Sequence, residues 1–280
     1  MLYPGKLFAA TVDGEIYRFD TETFQLDEVF KVGNPSPSGW GEMVLSPEEN
    51  SAYLIGSMGT IVEISLPDCQ VVNQFNICVS PVALGISAGD PGVSPGYLWV
   101  LDGNRNRMHQ VKLKNNVNYG SEAFPEGWVG SCMADGFAPD TVYAGTSYGL
   151  VLISSESLGS FAVRKYVTTN QNTWDVARMH DDSTMVVVYG SDPSFVSTFG
   201  KADSTGILQG TVAIQGQSHI TAGGNDYTHA YVLSNIGDGM SRLSQYNTRS
   251  GTIGLQTDIE GYPIDIQIGG TGMIYVLTSK

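Results

Sequence analysis

The sequence predicts an all-β fold, a β-propeller of four-stranded antiparallel blades, on three observations. Short apolar runs, most centred on an aromatic residue, recur along the whole chain at near-constant spacing. A glycine- or aspartate-rich turn and a short alternating strand follow nearly every run. No window of about 11 residues or more keeps the 3.6-residue period of an amphipathic helix.

The runs are Leu7-Phe8-Ala9-Ala10, Ala52-Tyr53-Leu54-Ile55, Tyr97-Leu98-Trp99-Val100, Thr141-Val142-Tyr143-Ala144, Met185-Val186-Val187-Val188, Ala230-Tyr231-Val232-Leu233 and Met273-Ile274-Tyr275-Val276. Tyr143, Val187, Tyr231 and Tyr275 fall 44 residues apart each time, and Phe8 and Tyr53 differ by 45. That period lies in the range of propeller blades. Turn signals follow at Asp13-Gly14, Met58-Gly59, Asp102-Gly103, Tyr148-Gly149, Ser191-Asp192-Pro193 and Gly237-Asp238-Gly239. Alternating strands then cover 15–19, 60–64, 108–113, 150–153, 195–199 and 241–246. Polar turns such as Asp20-Thr21-Glu22-Thr23 lead to a fourth, more polar strand at 26–32, 71–77, 162–167, 210–214 and 254–259.

With strands lettered A to D from the inside of a blade outward, the chain reads B-C-D, five full A-B-C-D units, and A-B. That makes 25 strands, against 24 for six blades and 28 for seven. Six blades fit better, and seven, two of them incomplete, are the alternative that the seven B-type runs allow. The expected closure places the C-terminal A strand, 264–268, beside the N-terminal B-C-D set, which leaves no long unpaired edge. The run at 273–277 then has no assigned place. The whole chain reads as a single domain, 1–280.

Composition narrows the function. Net charge is −14, from 14 basic and 28 acidic residues, which argues against broad contact with nucleic-acid phosphates or anionic lipid. No apolar run reaches the ~18 residues of a spanning helix, so no membrane insertion is expected. Cys69, Cys78 and Cys132 are odd in number and form no CxxC, which reads as three free thiols. The N-terminus has neither a basic nor an apolar leader region. The scarcity of Lys and Arg and the Gly, Ser, Thr and Asn bias point to a secreted, surface or virion protein.

Tyr231-Val232-Leu233-Ser234-Asn235 and Tyr275-Val276-Leu277-Thr278 resemble the Tyr-Val-x-Asn strand of the YVTN-repeat, lactonase-like propellers. The stretch 13–21 is similar to that family's strand-turn-strand continuation. The resemblance implies the fold over nearly the whole chain. It also implies a metal in the channel, held by Glu, Asn and Asp from several blades. Glu42, Asp175 and Asp265 at A-strand starts supply hard oxygen ligands of the kind Ca²⁺ takes. The repeated Trp motif that docks a quinone is absent.

Other motifs carry less. Gly145-Thr146-Ser147-Tyr148-Gly149 matches G-x-S-x-G, but a nucleophile elbow needs a helix after it, and this segment lies in a B–C hairpin. His109, His180, His219 and His229 show no zinc-ligand spacing. Two inserts, 34–39 and 89–96, lengthen surface loops.

The most informative pattern is aromatic. Counting back 13 residues from Tyr53, Val187 and Tyr275 reaches Trp40, Trp174 and Tyr262, and 15 back from Tyr143 reaches Trp128. All lie in connections between strand D of one blade and strand A of the next, with His219 one residue from the matching place. Such aromatics either fill the wedge between blades or form a partial ring at the channel mouth. A ring of indoles and phenols stacks on sugars, flat metabolites and cations, with Glu42, Asp175, Asp265, Arg178 and His219 as convergent polar groups. The leading expectation is a non-enzymatic recognition module for a carbohydrate, small molecule or protein segment. Alternatives are a metal-dependent, lactonase-like hydrolase and a structural or assembly protein of a surface layer or virion.

Overall fold

A computed structural model describes residues 2–3, 5–33, 42–48, 50–87, 89, 96–113, 115–157, 160–179, 183–191, 193–200, 207–216, 218–221, 228–268 and 272–279. These residues hold 26 strands and a single 3₁₀ turn, Ser57–Gly59, with no α-helix. The fold is a six-bladed β-propeller of four-stranded antiparallel blades.

The first blade is β1 (Leu2–Tyr3), β2 (Lys6–Ala10), β3 (Glu15–Asp20) and β4 (Leu26–Lys31). The second is β5 (Met43–Leu45), β6 (Ser51–Ile55), β7 (Thr60–Ser65) and β8 (Val71–Asn76). The third is β9 (Pro81–Ser87), β10 (Tyr97–Asp102), β11 (Arg107–Lys112) and β12 (Val117–Ala123). The fourth is β13 (Gly130–Asp135), β14 (Thr141–Thr146), β15 (Gly149–Ser157) and β16 (Ser160–Thr168). The fifth is β17 (Thr173–Arg178), β18 (Thr184–Gly190), β19 (Ser194–Gly200) and β20 (Gln209–Ile214). The sixth is β21 (Ser218–Thr221), β22 (His229–Gly237), β23 (Met240–Asn247) and β24 (Thr252–Glu260). β25 (Tyr262–Ile268) and β26 (Ile274–Ser279) form a further two-stranded sheet.

The joining of the chain ends differs from expectation. The C-terminal A strand pairs with β26, Ile266 opposite Val276, and not with the first blade. The run at 273–277 is therefore its partner. β1 fills the innermost place of the first blade, with Leu2 opposite Leu7 and Tyr3 opposite Lys6. Gly5, at φ 71°, makes this tight reversal available, and β1 covers the Lys6–Leu7 end of the β2 edge.

Two compact units are distinguished. One comprises Met1–Phe124 with Ala138–Val142 and Ser154–Ala162; the other comprises Pro125–Phe137, Tyr143–Ile153 and Val163–Lys280. In each, the inner strands bury both faces, which is why they read as unbroken apolar runs. In β6, Ala52 and Leu54 pack with Phe8, Ile16, Val62 and Ile64, while Tyr53 and Ile55 pack with Leu84, Ile86, Leu98 and Val100. β18 repeats the device. Met185 and Val187 join Tyr143, Leu150 and Phe199, and Val186 and Val188 join Val232 and Tyr246. Each buried Val, Leu, Ile, Phe or Met among them contributes about 1.5–3 kcal/mol. The outer strands β4, β8 and β24 carry mostly exposed residues.

Candidate functional site

Antiparallel pairing puts the B–C turns and the D–A connections at one end of each blade. The candidate surface lies there, and a repeated bulge shapes it. Near the start of β9, β17 and β25 one residue, the second in β9 and β17 and the third in β25, is skipped by the partner strand. Pro81, Thr173 and Pro263 pair, the next residue does not, and Ala83, Asp175 and Asp265 resume the ladder. The extra residues are Val82, Trp174 and Ile264. A bulge re-aims side chains at a sheet rim, and Pro at the preceding position gives up no ladder donor. Val82 and Ile264 are exposed, and Trp174 is half-buried.

In the first unit this end presents large apolar side chains among polar ones such as Asp13, Glu42 and Arg105. Val12, Met58, Val79 and Val82 are exposed, Met58 to 96%. Met58 takes φ 57° in the 3₁₀ turn between β6 and β7. A Cβ on Gly59 would lie 2.9 Å from both Pro81 Cδ and the Val79 carbonyl oxygen, and one on Gly103 would lie 2.7 Å from Val82 Cγ1. The turns are thus pressed onto the start of β9, which brings the exposed Met58, next to Gly59, into the same corner as Val79 and Val82. Glu42 is exposed, and its carboxylate accepts the Leu84 amide at 2.6 Å, tying the start of β5 to β9.

Beneath that corner lies a polar cluster that spacing rules did not reveal. One ligand atom each from Cys78, Asp102 and His109 lie within 4.8 Å of one another, the only such grouping of three among the described residues. Asp102 is 0% exposed and His109 7%. Asp102 Oδ1 accepts the amides of Asn104 and Arg105, 3.1 and 3.3 Å away. Its Oδ2 faces His109 Nε2 at 3.9 Å, and neither atom has a hydrogen-bond partner. His109 Nδ1 lies 3.4 Å from Asn118 Nδ2. Burial lowers the imidazole pKa, the Asp102 charge opposing and the Arg107 and Arg105 charges assisting. Burial pushes the Cys78 thiol up to about 12. The three are 24 and seven residues apart in sequence. They meet because Cys78 sits in a D–A connection and the other two flank the following B–C turn. The repeat register was the signal that could have found them.

The second unit holds most of the described residues of the aromatic pattern. Trp128 is buried, its ring 6.1 Å from Tyr148 of the adjoining B–C turn and under Lys165 Nζ at 5.2 Å. Trp174 donates its indole N–H to the Gly190 carbonyl of its own blade. Tyr262 is exposed. The strand register aligns Ile264 with Trp174, so Tyr262 falls two residues short of the position that counting by 13 suggests. The added bulge residue does not announce itself in a fixed period. Asp175 and Asp265, equivalent by the bulge, each accept the next residue's amide at 2.8 Å. Arg178 donates to the Gly136 carbonyl at 2.8 Å.

Two hydroxyls hold the connections in place. Ser194 Oγ donates to the Gly216 carbonyl at 2.5 Å, and Ser241 Oγ to the Gly261 carbonyl at 2.6 Å. Trp40, His180 and the inserts at 34–39 and 90–95 lie outside the described residues, as does the side chain of His219, whose backbone is in β21. The G-x-S-x-G segment is strand, turn and strand. Ser147 Oγ accepts the Val129 amide at 3.0 Å and lies 3.3 Å from the Gly127 carbonyl.

No known family profile matches the chain, and no curated protein sequence matches it. Solved structures match its fold. U3-55K shares 13% identity over 96% of this chain and 83% of its own, at a TM-score of 0.71. The Pan2 WD40 domain of Neurospora crassa shares 13% over 96% and 80%, at 0.67. Hydrazine synthase of Kuenenia stuttgartiensis shares 15% over 84% and 72%, also at 0.67. The chain is similar to β-propellers, WD40 repeats among them, and at these identities the likeness is one of fold.

Proposed function

We propose that the protein is a non-enzymatic recognition module that takes a protein segment on the turn end of its blades. The observation that carries this reading is the exposure of large apolar side chains at that end: Val12, Met58, Val79 and Val82 in one unit, and Val129, Tyr148, Tyr262 and Ile264 in the other. Exposed apolar clusters of this kind are where partners bind. An apolar surface with few fixed cations suits a neutral or mildly basic, apolar segment better than a polyanion. A chain of net charge −14 adds electrostatic preference for such a partner. Glycans and flat small molecules are the weaker fit, because Trp128 is spent on packing and Trp174 on its own blade. The Tyr-Val strands at 231–235 and 275–278 support placing the repeat with YVTN-type, lactonase-like propellers, with the fold used for binding.

Peptide display against the purified chain tests the reading. Enriched peptides are expected to be rich in apolar residues. They should lose at least tenfold in affinity when Met58 or Val79 becomes Asp, with an unchanged melting temperature. Leu255→Asp, on outer strand β24, is the control and should bind normally. Peptides indifferent to both turn-end variants, or no enrichment at all, would remove the proposal.

A further inference from the structure

We propose that Cys78, Asp102 and His109 form a zinc site beneath the turn end of the third blade. The case is one of unmet chemistry. Asp102 Oδ2 and His109 Nε2 are buried, face each other at 3.9 Å and have no hydrogen-bond partner. Unpaired buried polar atoms are costly. Here two point at one spot, with a thiol within 4.8 Å.

Zn²⁺ binds imidazole nitrogen at about 2.0–2.1 Å, carboxylate oxygen at about 2.0–2.2 Å and thiolate at about 2.3 Å. Tetrahedral bonds of those lengths put the ligand atoms roughly 3.3–3.8 Å apart. The Asp102–His109 pair, at 3.9 Å, reaches that set by a contraction of about 0.5 Å, and the thiol, within 4.8 Å of both, by at most about 1.2 Å. Charge also balances: a thiolate and a carboxylate neutralise the dication, and the thiol proton leaves to solvent. A neutral assembly is what a buried site tolerates. Thiolate and imidazole favour Zn²⁺ over Ca²⁺ or Mg²⁺, which take oxygen. Three protein ligands leave the fourth position of a tetrahedral zinc to a water or a partner's side chain.

One local change must accompany loading. Binding through Nε2 requires the proton on Nδ1, so Nδ1 needs an acceptor. Asn118 now presents Nδ2 there, and its Oδ1 accepts the Gly120 amide at 3.1 Å. A half-turn of the Asn118 amide brings Oδ1 to the imidazole, gives up its exposed bond from the Gly120 amide to solvent, and makes Asn118 the orienting partner that metal-bound histidines use.

The chelator-treated chain, titrated with Co²⁺, is expected to saturate at one equivalent with a tetrahedral spectrum and thiolate-to-cobalt charge transfer, and Zn²⁺ should displace the cobalt. Cys78→Ser should lose the charge transfer, while Cys69→Ser and Cys132→Ser keep it. Asn118→Ala should weaken binding about 10- to 100-fold. If Cys78→Ser does not fold, alkylation of the unmodified chain substitutes: Zn²⁺ should slow labelling of Cys78 and leave Cys69 and Cys132 unaffected. No stoichiometric cobalt spectrum, charge transfer that survives Cys78→Ser, or no protection of Cys78 would overturn the site.

Discussion

Gly251 and Gly210 meet backbone to backbone. A Cβ on Gly251 would lie 2.4 Å from the Gly210 Cα, and one on Gly210 would lie 2.8 Å from the Gly251 Cα. Gly251 ends the turn after β23, and Gly210 lies in β20 of the preceding blade. Tyr246 Oη donates to the Gly210 carbonyl at 2.8 Å, so the approach is fixed from both sides. Both glycines have positive φ, at 65° and 59°.

Gly251→Ala should therefore carry two costs. A left-handed conformation costs an alanine about 1–2 kcal/mol, and overpacking adds about 1–3 kcal/mol. Gly239→Ala is the comparison: φ is 72° and no atom lies within 4 Å of the added Cβ. It should cost the conformational part alone. Urea unfolding of the two variants separates the contributions, and equal losses would refute the close-packing argument.

Trp128 should behave as core. It is 5% exposed and sits between Tyr148 and Lys165. Trp128→Ala should destabilise by about 3–5 kcal/mol. Trp99 is buried too, its indole N–H on Ser87 Oγ at 2.9 Å. Acrylamide should quench Trp174 more readily than Trp99 or Trp128, as single-tryptophan variants would report. Ready quenching of Trp128 would return it to the list of ligand-facing groups.

Blade architecture was legible because burial on both faces imprints unbroken apolar runs, such as 185–188, and turns imprint glycine. The order of strands followed from the period. Chain closure was not legible. Leu2–Tyr3 is too short to read as a strand, and its pairing rests on the hairpin at Gly5. The bulges were hidden for a related reason: Val82, Trp174 and Ile264 share a backbone register and not a residue type. The Cys78–Asp102–His109 cluster lacked any short-range spacing, since its members come from three elements of one blade corner.

Acid sensitivity should concentrate at the first blade. Asp20 is held far below the usual carboxylate range, first by the Lys6 ammonium and then by the amides and hydroxyl of the following turn. A depressed folded pKa gives stability that is complete above the unfolded value of 3.8 and is lost as pH falls below it. Lys6 is raised by Asp27 and Asp20, so its share holds below 10.5 and is lost only above that. The urea midpoint of the wild type should fall between about pH 4 and pH 2, and Asp20→Asn should show a shallower fall over that window. Parallel acid limbs would show that Asp20 gains nothing from folding.

The hydroxyl clamps at Ser194 and Ser241 should matter more than their size suggests. Each is fully buried, and each donates to the carbonyl of a glycine just past strand D, Gly216 or Gly261. Those glycines begin the connections that lead to β21 and to Tyr262. Gly216 is further confined, because a Cβ there would lie 1.7 Å from the Asn235 carbonyl oxygen. Alanine removes the donor and leaves a backbone acceptor without that partner, a loss of about 1–3 kcal/mol. Ser241→Ala should also loosen Tyr262, so amide exchange at 261–263 should speed up more than at 231–235 in the same blade. Uniform exchange changes across both segments would mean that the hydroxyl supports the blade as a whole and does not position its turn end.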